Sequence, residues 1–465
     1  MNKFSKIKWM IGLPGAMILS VAAAHSQSVD LRSAVEAALA SNPEINQAAM
    51  NKEAIEFERK QAQGLFLPRV SVDASAGVRR LENNTRRNLG IADQELYPLE
   101  VNLVAEQVLL DSGVRNAELK RQAARTDGAA TRVEERSEFI ALNTSRQYLD
   151  YLLQQRIVAA SEDNVSFHQS LASDLREGVA KGSISIADQQ QAEERLQAAR
   201  VRLTEAKEDL VNAAISFRTL TGLSIDQVSM PPSLRSNLPP SLAEAVEGAR
   251  DRNPKVREAM ADIDAAHALV DKAKGEMWPT LSLEGRGRVG DDIDGFRGRT
   301  EDLQARVVLR WTAFDGNINR NKVQEMVRRA SESRFRLHEL QRGAEEDVRR
   351  AWNRWQQQGA LLGELEQQSR VTDDLLLSYR EQFNVGRRSL LDVLDSQNTR
   401  YNVQVRVETA RFAQVFSEYQ VLASTNTLLS SLGVAAPSAA KAYARDRFKV
   451  GPTEPAETMY RRYPN

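Results

Sequence analysis

Between residues 317 and 385, apolar side chains fall at Val323, Met326, Ala330, Leu337, Leu340, Ala344, Val348, Ala351 and Trp355, spaced mostly three and four apart. This is a heptad seam, and it predicts one helix about 100 Å long at 1.5 Å per residue. The four-four step Leu340–Ala344–Val348 resembles a stutter, which locally unwinds a coiled coil. Residues 112–180 predict a second helix of similar extent. Proline breaks helix interiors, and the chain has none between Pro98 and Pro231 or between Pro279 and Pro437. Both long helices end at a glycine followed by a start signal, Gly182-Ser-Ile-Ser185-Ile-Ala-Asp188 and Gly386-Arg-Arg-Ser389-Leu-Leu-Asp392. Glycine suits the left-handed position after a helix, and Ser-x-x-Asp caps the next one. The chain is therefore expected to double back twice, with returning helices to about Thr221 and Leu432. Shorter helices are expected over 31–65 and 242–277.

After Pro68 the period changes to two. Val70, Val72, Ala74, Ala76 and Val78 alternate with Ser71, Asp73, Ser75, Gly77 and Arg79, and Leu281, Leu283 and Val289 are set against Ser282, Glu284, Arg286 and Arg288. Partner strands carry Leu99, Val101 and Leu103 beside Glu100 and Asn102, and Leu303, Ala305, Val307 and Leu309 beside Gln304, Arg306 and Arg310. Each hairpin is apolar on one face and charged on the other. Strands of about 9 to 11 residues cross a membrane, and Phe66, Tyr97, Trp278 and Phe314 stand where an aromatic girdle would lie. A soluble sandwich is the alternative, but four strands are too few for two packed sheets. In lipid, four strands leave two edges of unpaired backbone groups, so other subunits must close the barrel. Two chains would give a bore filled by side chains, whereas three give twelve strands and a water-filled channel.

The two halves repeat. Leu31, Ala34, Val35, Glu36, Ala38, Asn42 and Pro43 recur 211 positions on as Leu242, Ala245, Val246, Glu247, Ala249, Asn253 and Pro254. Later the offset is 204, pairing Asp111 with Asp315, Gly182 with Gly386, Ser185 with Ser389 and Asp188 with Asp392, so the first half holds seven extra residues between Val72 and Asp111. A duplication explains this run. The expected plan is a signal peptide (1–24), a first repeat (28–222), a linker (223–241), a second repeat (242–433) and a flexible C-terminal tail (434–465).

Composition sharpens the compartment. Lys3, Lys6 and Lys8, an apolar run from Trp9 to Val21 and Ala22-Ala23-Ala24 form a secretory signal peptide, predicting a mature chain from His25. Without those lysines 60 basic residues face 63 acidic ones, which gives no clustered basic surface for nucleic acid. The chain has no cysteine, and His25, His168, His267 and His338 are scattered, as surface or packing residues are.

Taken together, the signal peptide, the duplicated plan and the stretch Tyr379-Arg-Glu-Gln-Phe383-Asn-Val-Gly386-Arg-Arg-Ser-Leu-Leu-Asp392-Val-Leu-Asp395 resemble the TolC-like outer-membrane efflux proteins. The resemblance covers roughly residues 28–433. It implies a mainly α chain with a membrane β-barrel: a trimeric 12-stranded barrel, four strands per chain, on a long α-helical coiled-coil tunnel in the periplasm. It also implies a homotrimer in outer-membrane lipid that docks through a periplasmic membrane-fusion adaptor to an inner-membrane pump, either an ABC transporter of type I protein secretion or a proton-driven drug pump. The similarity of the second repeat leans towards type I secretion. By the same resemblance Asp392 and Asp395 would line a periplasmic gate, while Asp188, Phe383 and Arg388, with the turns at Gly182 and Gly386, would hold the tips closed and meet the adaptor. Phe383 stands where the family's best-known member has a tyrosine and Ala187 where it has a threonine, which removes two hydroxyl links. For Asp392, capping with Ser389 is an equally good explanation. Asp395 lies a turn deeper, and the first repeat has Gln191 there.

Other signals carry less. Gly285-Arg-Gly287-Arg-Val-Gly290 spells a dinucleotide motif but lies inside an alternating segment with no helix after it. Asp291, Asp292, Asp294 and Gly295 lack the register of a calcium loop and are expected at the solvated tip of the second hairpin. No nucleophile and base are legible, so no enzyme, metal or cofactor is expected. A periplasmic coiled-coil adaptor is the rival reading, but it would have one hairpin and compact β modules.

Overall fold

The computed structural model describes residues 29–225 and 228–448, so the signal peptide, His25 and residues 449–465 lie outside the described residues. The first half runs α1 (Leu31–Ser41), α2 (Pro43–Gly64), β1 (Arg69–Ala76), α3 (Asn84–Asn88), β2 (Leu99–Leu110), α4 (Val114–Ala180) and α5 (Ile186–Thr221). The second runs α6 (Leu242–Arg252), α7 (Pro254–Gly275), β3 (Thr280–Asp291), β4 (Arg299–Arg310), α8 (Ile318–Asn384), α9 (Leu390–Ser424) and α10 (Leu428–Ser431). The long helices α4 and α8 hold 67 residues each. Their starts are alike: Asp111 accepts the Arg115 amide at 2.8 Å and Asp315 the Asn319 amide at 2.9 Å.

Two elements differ from the apolar spacing. Instead of single helices over 31–65 and 242–277, the chain breaks at Asn42 and Asn253, both extended, with side chains that accept the Glu44 and Lys255 amides. Proline disfavours helix in the residue before it yet opens the next helix well, so each Asn-Pro pair is a built corner. The second returning helix also stops early, at Ser424, because Asn426 takes a positive φ of 58° before α10.

One antiparallel sheet has the order β1-β2-β3-β4, so the two repeats meet where β2 pairs with β3. Val70, Val72, Leu103, Leu303, Val307 and Leu309 are exposed on one face, with Leu303 at 90%. On the other, Ser282 and Glu284 are buried, and Glu284 accepts from Arg306 at 2.8 Å and also from Arg310. At eight residues β1 is shorter than the membrane-crossing length, but an Arg79–Leu96 bridge prolongs its pairing. The glycine motif sits inside β3, where a Cβ on Gly290 would collide with the Leu99 carbonyl. The acidic tip is turn-building: Asp292, at φ 58°, accepts the Gly298 amide at 2.9 Å and the Tyr97 amide at 3.2 Å. Beside it the buried Arg86 donates to the carbonyls of Ile91 (2.7 Å), Gln94 (2.8 Å) and Gly295, which ties the two hairpin loops together. Among the described residues no helix is long and apolar enough to cross a membrane, and no group of acidic or histidine side chains could hold a metal ion.

Beneath the sheet, α7 packs between α4 and α8. Val246, Val256, Ile263, Leu337, Ala344 and Val348 form an apolar cluster there, so the stutter residues face inward. A larger cluster lower down gathers Leu31, Val35, Tyr148, Phe217, Tyr419 and Leu428 from both halves. Each such side chain contributes about 1.5–3 kcal/mol on burial.

The segment after Gly433, expected to be flexible, is packed as far as Arg445. Asp127 of α4, 3% exposed, accepts the amides of Tyr443 (2.8 Å), Ala444 (2.8 Å) and Arg445 (3.0 Å) as well as the Arg445 guanidinium, which also reaches Asp264 of α7. A buried carboxylate needs such partners, and the strap that supplies them joins the two repeats.

A second buried carboxyl is under-supplied. Glu138 of α4 accepts the Leu429 amide at 3.3 Å, and burial, with Glu134 nearby, pushes its pKa up to about 7. Because the folded value lies above the unfolded one, ionisation opposes folding; the penalty is absent below about pH 4.5 and complete above about pH 7. Glu138→Gln should therefore raise the apparent unfolding temperature at pH 8 and leave it unchanged at pH 4.5, for a gain on the order of 1–3 kcal/mol. Scanning calorimetry at both pH values checks it, and an equal shift at both would refute the assignment.

Candidate functional site

The residues singled out by sequence gather where the two helical hairpins turn. Both turns are built alike: the Gly182 amide meets the Val179 carbonyl and Ser183 that of Gly178, while Gly386 meets Phe383 and Arg387 meets Gln382, all between 2.8 and 2.9 Å. Gly182 and Gly386 take φ of 73° and 71°, which L side chains rarely adopt. The next helix then starts on serine. Ser185 accepts the Asp188 amide at 3.1 Å and donates its hydroxyl to the Asp188 carboxylate at 2.7 Å. Ser389 and Asp392 do the same at 3.2 and 2.8 Å, and the Ser389 amide adds a third bond at 3.3 Å, completing a capping box.

Asp392 is thus a cap by direct observation. The Ser389 hydroxyl, then the Ser389 amide and Arg388 at 3.6 Å, hold its pKa below the usual carboxylate range. Within one chain its nearest charge is Arg388 rather than Asp395. Asp395 stands on the same side of α9, 62% exposed, with Arg195 of α5 at 3.7 Å. Leu394 and Gln397 are buried against the first hairpin, and the two aspartates lie on the more exposed side of the helix.

Phe383 and Arg388 have separate tasks. Phe383 packs on a cluster of Leu171, Leu175, Leu196, Leu390 and Leu394 that joins the hairpins, so it supplies apolar contact where a tyrosine would add a hydroxyl. Arg388 lies over the Tyr379 ring at 4.2 Å and donates to Gln382 at 3.2 Å. Asp188 and Arg388 stay within their own hairpins.

What joins the hairpins above this cluster was not legible in sequence. Gln397 donates to Asn164 at 2.8 Å, Ser161 and Tyr401 share a bond of 2.9 Å, and Arg202 donates to Asn398 at 2.7 Å. Burial, then Arg195 and Arg202, lower the His168 pKa to about 4, so this histidine is a neutral packing residue. Asn164, Ser161, Tyr401 and Gln397 are buried polar or aromatic residues inside long helices, where apolar spacing gives no signal for them.

Comparison with known proteins bears on the family and the fold. The family model described as outer membrane efflux protein matches residues 34–223 and 245–434, one copy per repeat. Protein CyaE of Bordetella pertussis is 25% identical over 316 residues, 63% of this chain and 62% of its own length, so the match spans about three fifths of that relative. Outer membrane protein TolC of Escherichia coli is 20% identical over 418 residues, covering 87% of this chain and 83% of that one. Among solved structures, the Campylobacter jejuni CmeC outer membrane channel superposes with a TM-score of 0.74 at 15% identity, covering 86% of each chain.

Proposed function

The chain belongs to the outer membrane efflux protein family, and from that premise we propose that three copies form the outer-membrane duct of an export system, a passive conduit fed by an inner-membrane pump through a periplasmic adaptor. The observation that carries this reading is the sheet. It is apolar outside and charged inside, and β1 and β4 end it with unpaired edges that hydrocarbon cannot tolerate.

The flanks support closure by further copies. Val201 and Val211 are exposed on α5, 15 and 25 positions past Ile186, while Val371 and Leu361 are exposed on α8, 13 and 23 positions before Asn384. At 1.5 Å per residue these pairs lie level to within about 3 Å. One flank carries β1 and α5, the other β4 and α8, and such head-to-tail surfaces build rings. Three copies give twelve strands, enough for an aqueous bore.

Under this reading Asp395, with Asp392 beside it, places six carboxylates around a narrow axis at the tips, which function as a gate favouring cations. Cargo class is a finer matter. General similarity of the second repeat favours type I protein secretion over drug efflux. The adaptor alternative is disfavoured by the four-stranded amphipathic sheet.

Three outcomes follow. Cysteines at Leu281 and Leu283 should react only with lipid-soluble probes and one at Arg286, exposed on the same face as the buried Ser282, with water-soluble reagents through the lumen; equal aqueous labelling at all three sinks the membrane strands. A deletion strain should lose a secreted protein while keeping its drug resistance, and the reverse would move the cargo to small molecules. Replacing Asp392 and Asp395 with alanine should weaken cation selectivity and divalent block in planar bilayers while the trimer persists; unchanged conductance properties in the intact variant would place the constriction elsewhere.

A further inference from the structure

Far from the tips, the C-terminal end of α9 faces the N-terminus of α7 across a cleft walled by α4 and α8. Its floor is short of donors. Glu138, 8% exposed, accepts the Leu429 amide at Oε1, and its buried Oε2 has no hydrogen-bond partner among the described residues. Asn426 donates Nδ2 to Glu134 at 2.7 Å, and its buried Oδ1 likewise has none. An unsatisfied buried acceptor costs about 1–3 kcal/mol, and here two of them line one cleft.

The surrounding cations are committed elsewhere. From α7, Lys255 pairs with Glu135 at 3.8 Å and Arg257 with Glu134 at 2.8 Å. From α8, Arg350 pairs with Glu346 and Arg354 donates to Gln420 at 3.4 Å, with Asp347 beside them. The start of α7 offers no anion site in their place, since its Lys255 amide is taken by Asn253 and Pro254 has no N–H. What the floor lacks is a positively charged N–H donor, and what flanks it is apolar: Phe139, Leu142, Ala351 and Ala423.

We propose that this cleft binds a small primary ammonium with an apolar body, its nitrogen donating to Glu138 and Asn426 and its hydrocarbon lying on Phe139 and Leu142. The N–H requirement separates this site from a merely acidic surface, which would attract any cation equally. Binding also favours the ionised form of a carboxyl that otherwise holds its proton near neutrality, so it releases protons around pH 7.

The test is titration calorimetry on the full chain in detergent, with phenethylamine and its N,N,N-trimethyl analogue as probes. Phenethylamine should bind once per chain. The analogue, which has no N–H, and the variant Glu138→Gln should each bind about tenfold more weakly or worse. Ala423→Trp, which fills the cleft while Glu138 itself is unchanged, should abolish binding at unchanged helix content, and it decides the matter if the Glu138 variant does not fold. Equal affinity for both probes, undiminished binding to either variant, or no binding at millimolar phenethylamine would each overturn the proposal.

Discussion

The structure depends on one unmet demand, the backbone hydrogen bonds at the outer edges of β1 and β4. Within a single chain these edges have nowhere to go, and a sheet whose outer face is Val70, Val72, Leu303 and Val307 cannot present them to lipid. Closing them by copies of the same chain fixes much else. The copies must meet head to tail, the helices below must leave apolar stripes at matching heights on both flanks, and the charged inner face must balance opposite charges around the bore. The Glu284–Arg306–Arg310 cluster does the last of these locally.

Two kinds of helix contact divide the tunnel half of the molecule. At the tips the hairpins meet on the leucines around Phe383, whereas higher up they meet through Asn164–Gln397, Ser161–Tyr401 and Arg202–Asn398. Apolar interdigitation favours one tight arrangement through dense packing, while single hydrogen bonds contribute about 1 kcal/mol each and can exchange for water. The polar stretch of the seam is therefore the softer one, and Asp395, paired with Arg195 at 3.7 Å, sits between it and the leucine cluster.

Much of this was legible in the chain because it follows from periodicity. Heptad spacing marks α4 and α8, strict alternation marks the strands, and the glycine-serine pairs mark both turns. The Asn42-Pro43 and Asn253-Pro254 corners were visible as repeated residues, but apolar spacing runs across them, and only the proline's steric effect on its predecessor shows the break. Partners brought together from distant segments left no local trace. The strap binds Asp127 through backbone amides, which any sequence possesses, and the cap at Asp392 became distinguishable from a gate residue only when its hydrogen bonds were located.

That strap sets an order of events in the life of the chain. Asp127 and Arg445 are 318 positions apart, so the acceptor enters the translocation pore long before the donors that neutralise it. Until residues 443–445 arrive, Asp127 lacks the donors of the strap, and loop closure over that distance is slow. Completion of the upper helical layer is thereby tied to the arrival of residues 443–445, and a chain cut short of them leaves Asp127 without the strap's donors.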